Sequence, residues 1–260
     1  SSLKGADVNG EDDSKQAKEE EKTVQPAWKR KSTPGKNTYL KVILDDDTMD
    51  QLHELMGDMK RGFEALPTEN CPEPQQDSSR GQTLKIRPRS KASLHVTFFF
   101  GGEVICELPT HELVDWHSAL TERFRESGFS LSESGISDPG EHWLTFRHLS
   151  LFPLKRNYLV VALLDASPAL EKLCDDIRLL ALTSDSEGLR EMAKRSKEKW
   201  TAHVTLANLR GPKKEIQSLQ RFLSQRSVED ELQTKRIPAS AISMGGPEPK
   251  QAELAWHFSG

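Results

Sequence analysis

Cysteine is scarce in this chain, with 3 residues among 260, and no two of them form a Cys-x-x-Cys pair. An odd and dispersed set excludes a disulfide framework or a zinc ribbon as the basis of the fold. It favours a reducing compartment, so we expect an intracellular protein, cytoplasmic or nuclear. Long apolar runs are missing too, which predicts that no segment spans a membrane and that no membrane partner is involved.

Positive charge is not in excess, since the formal net charge is -4 at pH 7. Domains that coat duplex nucleic acid through bulk electrostatics are usually strongly basic, so this class is disfavoured, whereas a small basic pocket is compatible with the composition. The chain also lacks the glycine-rich phosphate loops, the serine-hydrolase elbow Gly-x-Ser-x-Gly and the zinc motif His-Glu-x-x-His. We therefore expect no cofactor and no metal.

Composition divides the chain into a tail and a folded domain. Residues 1–36 contain many charged and small residues and almost no large apolar side chain, which predicts a disordered tail. Residues 37–260 are predicted to form a single domain of mixed α/β structure. Two longer connections interrupt it, a loop over 66–93 rich in Pro, Gln, Ser and Gly, and a charged connector over 184–199.

The predicted domain contains the same plan twice: a strand, an amphipathic helix, a long connection and a second strand. The first copy runs from a strand at 39–44 to one at 94–100, and the second runs from 158–164 to 200–209. This duplication is the most informative feature of the sequence, because both copies end in the same motif. The two motifs are His95-Val96-Thr97-Phe98 and His203-Val204-Thr205-Leu206.

Strand geometry predicts where the side chains of each motif point. Successive side chains of a strand lie on opposite faces, so the His and the Thr share one face and the apolar residues occupy the other. If the two copies pack about an approximate two-fold axis, two imidazoles and two hydroxyls converge on one cleft. One such motif alone would more simply be a pair of half-buried polar residues. Two copies in the same local context favour a functional site.

This set of groups suits phosphodiester chemistry. The unperturbed pKa of an imidazole is about 6.5, so near neutral pH one ring can accept a proton while the other donates one. Two hydroxyls beside them can donate hydrogen bonds to the non-bridging oxygens of a phosphate. The sequence therefore predicts phosphodiester cleavage that needs no metal ion.

The residues around the two motifs carry a family resemblance. The first motif continues as Phe99-Phe100-Gly101-Gly102-Glu103-Val104, and Trp200-Thr201-Ala202 precedes the second. Both segments resemble the paired signatures of the 2H phosphoesterases, in particular the branch of RNA 2′,3′-cyclic phosphodiesterases that are also called 2′-5′ RNA ligases. This chain departs from them by one extra glycine and by Ala202, where the family usually has proline. The resemblance covers residues 39–258.

The resemblance implies a bilobal α/β fold, in which two lobes related by a pseudo-two-fold axis, with mainly antiparallel sheets, enclose a central cleft. It implies hydrolysis of a 2′,3′-cyclic phosphate at an RNA end or on a nucleotide. His95 and His203 are then expected to be the acid-base pair, and Thr97 and Thr205 the phosphate-binding hydroxyls. The expected partners are RNA 3′ ends or 2′,3′-cyclic nucleotides, and a monomer is expected.

Further candidates for substrate binding lie around the motifs. Basic residues at 85, 87, 89 and 91 share one side if that segment is extended, where they could guide RNA phosphates or simply face solvent. Arg147 lies on a predicted strand and could face the cleft or point away from it. Aromatic side chains could stack a base, although core packing is the better interpretation of each one taken singly. The substrate-binding candidates are Lys85, Arg87, Arg147, Tyr39, Phe100 and Phe152.

Two alternatives stay open beside cyclic-phosphate hydrolysis. The chain could bind RNA ends or nucleotides without turnover, although intact His and Thr in both motifs argue against this. It could also be an enzyme of the same chemistry that cuts 3′-5′ or 2′-5′ internucleotide bonds. The sequence does not decide which histidine is the base and which the acid.

Overall fold

The computed structural model describes residues 38–65, 83–128, 141–155, 157–196, 199–225, 232, 235–239, 241–245 and 257–259. The predicted tail at 1–36 lies outside the described residues, as do 66–82 of the predicted loop and 197–198 of the predicted connector. Across the ranges that are described, no helix combines the length and the apolar character that crossing a membrane requires.

Nine strands and six α-helices make up the described part of the chain. The strands are β1 (Thr38–Ile43), β2 (Lys85–Pro88), β3 (Val96–Gly102), β4 (Trp143–Pro153), β5 (Tyr158–Ala166), β6 (His203–Arg210), β7 (Ile237–Pro238), β8 (Ala241–Gly245) and β9 (His257–Ser259). The helices are α1 (Asp46–Glu64), α2 (Val104–Glu107), α3 (Thr110–Glu126), α4 (Pro168–Thr183), α5 (Glu187–Arg195) and α6 (Lys213–Gln225), and a short 3-10 helix spans Lys91–Ser93.

Local sequence explains where the two helices of the repeated plan begin. The side chain of Asp45 accepts a hydrogen bond from the backbone N–H of Thr48 at 2.8 Å, which caps α1. Ser167 caps α4 in the same way through Leu170, and Pro168 occupies the first turn, where its missing N–H costs nothing.

The strands form one sheet rather than the two small sheets that the sequence suggests. Its hydrogen-bonded order is β7-β4-β5-β6-β3-β1-β8-β9, with β2 paired beside β6, and the recorded pairings are antiparallel. The two motif strands, β3 and β6, are neighbours at the centre and meet at the pair Val96–Val204. The two predicted sheets are thus joined where the motifs lie.

The sheet has two similar halves on either side of the Val96–Val204 pair. The first half reads outward as β3, β1, β8 and β9, and the second half as β6, β5, β4 and β7. In each half the motif strand pairs with the strand that opens the repeated plan, namely β1 or β5. The predicted fold class, a mixed α/β chain with mainly antiparallel pairing, is confirmed.

One face of the central strands belongs to the core. Val42, Val96, Val204 and Ala162 follow one another across β1, β3, β6 and β5, and all four are fully buried. Helices cover this region, since α4 and α5 contact β3 and α1 contacts β6. The opposite face of the same strands is left to the polar residues of the motifs.

Several predicted boundaries differ from the structure. The charged connector contains α5, whose buried residues Leu189, Met192 and Ala193 pack it onto the core. The loop before the first motif contains β2, which pairs with β6. The extra glycine of the first motif ends β3: Gly102 has a φ of +57°, and a Cβ at Gly101 would overlap the side chain of Ile105.

Candidate active site

The structure brings the two His-x-Thr motifs side by side. β3 and β6 are antiparallel and Val96 pairs with Val204, so the residues on either side follow the same register. His95 therefore lies beside Thr205, and Thr97 lies beside His203. Each imidazole has a hydroxyl next to it along its own strand and another across the strand pair, as an approximate two-fold axis requires.

Both histidine rings are held by the same backbone contact. Nδ1 of His95 lies 2.9 Å from the carbonyl oxygen of Ser93, and Nδ1 of His203 lies 2.8 Å from that of Thr201. A carbonyl oxygen only accepts, so Nδ1 must carry a proton in each ring. In the neutral ring the lone pair is then on Nε2, which is the nitrogen left to exchange a proton with a substrate.

Each histidine also has an aromatic neighbour. The ring of Tyr39 stacks on His95 with centroids 4.9 Å apart and an interplanar angle of 11°. The ring of Phe152 lies 4.9 Å from His203 at 55°. These contacts add to the carbonyl hydrogen bonds in fixing the ring planes. That Tyr39 and Phe152 bind a base stays a prediction.

The environment of His95 favours its neutral form. Burial is the largest cause and lowers the pKa of His95 below its ordinary 6.5. The nearby charges of Lys41 and Arg89 and the ring of His203 lower this pKa further, whereas the hydrogen bond to Ser93 raises it. At neutral pH His95 is therefore unprotonated in the folded protein.

This lowered pKa predicts how stability depends on pH. The unfolded chain binds a proton at His95 more readily than the folded chain, so the contribution of His95 to stability is present above about pH 6.5 and is lost as the pH falls through the lower folded pKa. We expect the free energy of unfolding, measured with urea at pH 7.5 and 5.5, to fall less in His95→Gln than in the unchanged protein. An equal fall in both would contradict the burial of this ring.

The two motif strands share an irregularity just after the threonine. On β3, Thr97 pairs with Lys41 and Phe99 with Leu40, so Phe98 is an extra residue. On β6, Thr205 pairs with Val161 and Ala207 with Val160, so Leu206 is the extra residue. Each is a bulge that moves the side-chain alternation by one position. Phe100 and Asn208, which would otherwise lie on the buried face, thus share the face of the motifs.

Because of the second bulge, a row of basic residues lies on the same face as the motifs. Directly opposed residues of antiparallel strands share a face, and β2 places Arg87 opposite Asn208 and Lys85 opposite Arg210. The backbone N–H of Arg89 donates to the carbonyl of Leu206 at 2.7 Å, which places Arg89 between this pair and His95. We call Arg89, Arg87, Lys85 and Arg210 the basic track. All four are exposed, and among the described residues none of them has an ion-pair partner.

A pocket of about 310 Å³ opens on the other side of the site. Thr97 and His203 belong to its wall, so the pocket is continuous with the motifs. Phe100 is 41% exposed there, and the remaining wall comes from α4, the residues before β6 and the end of β4. Its aromatic and charged lining includes Phe100, Phe152, Trp200, Lys199, Arg178 and Asp175.

No family model and no curated protein matches the sequence. Among solved structures, TT0787 of Thermus thermophilus is similar, with 17% identity, a TM-score of 0.46 and coverage of 80% of this chain and 86% of that chain. Usb1 of Kluyveromyces marxianus is similar with 8% identity, a TM-score of 0.49 and coverage of 86% and 98%. The same Usb1 with uridine monophosphate matches with 10% identity and a TM-score of 0.45, again covering 86% and 98%.

The duplicated, mainly antiparallel topology agrees with the fold that the sequence resemblance implies. The roles of individual residues rest on this chain's own geometry.

Trp200 and Cys174 are site residues that the sequence did not single out. The indole Nε1 of Trp200 donates to the carbonyl of Thr97 at 3.0 Å, and its ring meets Phe98 edge-on at 5.0 Å. Trp200 thus ties the segment before the second motif to the first motif strand. Cys174 lines the pocket, but burial raises the pKa of its thiol to about 12, so it carries no thiolate for nucleophilic attack.

Two of the predicted basic residues, Arg147 and Lys91, are paired with carboxylates. Arg147 is the extra residue of a bulge on β4, and its guanidinium lies 3.8 Å from the carboxylate of Asp165, with both side chains more than half exposed. Lys91 falls in the 3-10 helix, not in an extended segment, and pairs with Asp50 at 2.7 Å and with Asp46 at 3.8 Å. The predicted alternation therefore holds for Lys85 and Arg87 and ends before Lys91.

Metal-ligating side chains do not cluster in the part of the chain that the structure describes. No group of three or more His, Cys, Asp or Glu residues there could hold an ion.

Proposed function

We propose that this chain is a metal-independent phosphoesterase of the 2H phosphoesterase family, which hydrolyses 2′,3′-cyclic phosphates at RNA ends or on nucleotides. The observation that carries the proposal is the pairing of the two motifs about Val96–Val204, with Nδ1 of both histidines bound to a backbone carbonyl. This arrangement presents two Nε2 atoms and two hydroxyls to one substrate phosphate.

The reaction needs two proton transfers, and the two rings supply them. As a water oxygen forms a bond to phosphorus, one neutral imidazole accepts the water's proton at Nε2. The bond from phosphorus to one ribose oxygen breaks, and the other imidazole, which enters protonated, donates its Nε2 proton to that oxygen. The product is a phosphate monoester with a free hydroxyl on the neighbouring ribose carbon. The hydroxyls of Thr97 and Thr205 donate hydrogen bonds to the non-bridging oxygens, where negative charge increases during the displacement.

The surroundings of the motifs support an RNA end as the substrate. The pocket beside Thr97 and His203 offers Phe100, Phe152 and Trp200, aromatic groups of the kind on which single-stranded bases stack. The basic track leads away from His95 on the opposite side and offers four exposed cations to a sugar-phosphate backbone. A terminal nucleoside in the pocket and the preceding phosphates along the track would place the cyclic phosphate between the two histidines.

The basic track predicts a difference between long and short substrates. We expect the double variant Arg87→Ala, Arg210→Ala to lose much more kcat/KM on an oligonucleotide with a cyclic-phosphate end than on 2′,3′-cyclic AMP. The slope of log KM against log salt concentration should fall by roughly 0.7 for each phosphate that the variant no longer binds.

A matched control removes the same charge elsewhere. Arg61 and Arg125 are exposed arginines on α1 and α3, each paired with an acidic residue of its own helix. The variant Arg61→Ala, Arg125→Ala should leave the preference for the oligonucleotide unchanged. Equal losses in both double variants would mean that net charge alone, and not the track, attracts the substrate.

Product analysis on a short RNA tests the proposed function against its alternatives. A hexanucleotide that ends in a 2′,3′-cyclic phosphate is incubated with the protein in the presence of EDTA. The products are separated by chromatography and their masses are measured by mass spectrometry. We expect a strand of unchanged length whose cyclic phosphate has gained one water. A shortened strand would instead show internucleotide cleavage. Binding of the strand without any product would leave an RNA-end-binding module.

A further inference from the structure

The two halves of the site differ at the residue beside each threonine. On the first half the cross-strand partner of Thr97 is Lys41 of β1. On the second half the partner of Thr205 is Val161 of β5, which is fully buried. The two positions correspond in the duplicated plan, because each lies opposite the threonine of its motif and precedes the bulge. The threonine of the first half therefore has a positively charged neighbour, and the threonine of the second half does not.

The side chain of Lys41 lies on the face of the motifs. Buried and half-buried residues alternate strictly along β1, so Tyr39, Lys41 and Ile43 share the face that is not in the core. Tyr39 on this face stacks on His95, which shows that the face is that of the site. Side chains that are directly opposed on antiparallel strands lie about 5 Å apart at Cβ, so the stem of Lys41 runs beside the hydroxyl of Thr97.

Within the described part of the chain, no acidic partner explains the position of Lys41. It takes part in no ion pair among the residues that the structure describes. Its charge is close enough to His95 to oppose protonation of that ring. Lys41 is a half-buried residue whose positive charge acts on the imidazole of His95 and whose stem runs beside Thr97. An anion bound at this place would be attracted by that charge.

We propose that the ammonium of Lys41 binds a non-bridging oxygen of the substrate phosphate together with the hydroxyl of Thr97. This inference deepens the proposed function, since it concerns the same site. The phosphate is then held more strongly by the first half than by the second, where Val161 offers no charge. Lys41 thereby gives the phosphate one preferred orientation in a site whose histidines and threonines would otherwise bind it equally well in two.

Binding of inorganic phosphate tests this proposal without requiring turnover. The dissociation constant is measured by isothermal titration calorimetry for the unchanged protein and for Lys41→Met, Lys41→Arg and Lys172→Met. Lys172 is the matched control, an exposed lysine on α4 paired with Asp176. Loss of a hydrogen bond to a charged group predicts phosphate binding about ten- to a hundredfold weaker in Lys41→Met, while Lys41→Arg and Lys172→Met stay close to the unchanged protein.

A second readout reports the position of the charge. The pKa of His95, followed by NMR of its ring protons, should rise in Lys41→Met, because a neighbouring positive charge has been removed, and should stay unchanged in Lys172→Met. Because unfolding would also raise this pKa, the chemical-shift dispersion of the other signals in the same spectra is used to show that the variant is folded.

The outcomes separate this proposal from the proposed function. Phosphate binding that is equally strong in Lys41→Met and in the unchanged protein would overturn the role of Lys41, whether or not cyclic phosphates are hydrolysed. So would a failure of the unchanged protein to bind phosphate. Phosphate binding that depends on Lys41, in a protein that hydrolyses no cyclic phosphate, would support the proposal and count against the function.

Discussion

Replacing His95 or His203 by alanine is expected to lower kcat/KM for a 2′,3′-cyclic phosphate by about 10²- to 10⁴-fold, the range that general acid-base groups contribute. In the proposed mechanism each variant removes one of the two Nε2 atoms that exchange a proton with the substrate, so one proton transfer must go to water. The double variant should lose little more than the slower single variant, because both rings serve the same displacement. Initial rates with 2′,3′-cyclic AMP measure these effects.

The fold should survive both histidine substitutions. The rings are half-buried at the edge of the core. Nδ1 of each ring is hydrogen-bonded to a backbone carbonyl oxygen, which water can satisfy when the ring is removed. His53, an exposed histidine on α1, provides the matched control, and His53→Ala should keep full activity. Normal activity in His95→Ala or His203→Ala would show that the replaced histidine takes no part in the reaction. Unfolding of both variants would favour a structural role.

Replacing Thr97 or Thr205 by valine is expected to lower kcat by about 10²- to 10³-fold, as the loss of one hydrogen-bond donor to a developing oxyanion does. Valine keeps the β-branched shape that suits these strand positions and removes only the hydroxyl. The effect should fall on kcat more than on KM, because the hydrogen bond strengthens as charge increases on the phosphate oxygens. Steady-state kinetics on the same substrate separates the two parameters.

Serine provides the control for the threonine variants. Thr97→Ser and Thr205→Ser keep the hydroxyl and lose a methyl group, so they should retain activity within about tenfold of the unchanged protein. If serine caused the larger loss, packing of the methyl group, and not the hydroxyl, would be the important property. If neither caused a loss, the hydroxyls would not contact the phosphate.

The duplicated plan could be predicted from the sequence because it is carried by local patterns. Strand alternation, the Ser167 and Asp45 caps and the two His-Val-Thr motifs are each visible within a few residues, and the structure places them as two similar halves. The two halves join into one sheet through a tertiary contact between Val96 and Val204. Nothing in the local patterns distinguishes one joined sheet from two separate ones.

The rest of the site depends on features that alternation alone does not show. A bulge adds one residue to a strand and changes the face of every side chain after it, so the faces of Phe100 and Asn208 could not be predicted from sequence periodicity. The asymmetry between Lys41 and Val161 depends on strand register in the same way. Trp200 belongs to the site because of a contact with a strand far away in the sequence.

The most direct test of the two-histidine account is hydrolysis of 2′,3′-cyclic AMP in the presence of EDTA, followed by phosphorus NMR. The unchanged protein is compared with the double variant His95→Ala, His203→Ala under the same conditions. The account predicts that the unchanged protein converts the cyclic phosphate resonance into that of a single monophosphate and that the double variant does not. Loss of the reaction on adding EDTA, or equal conversion by the double variant, would contradict it.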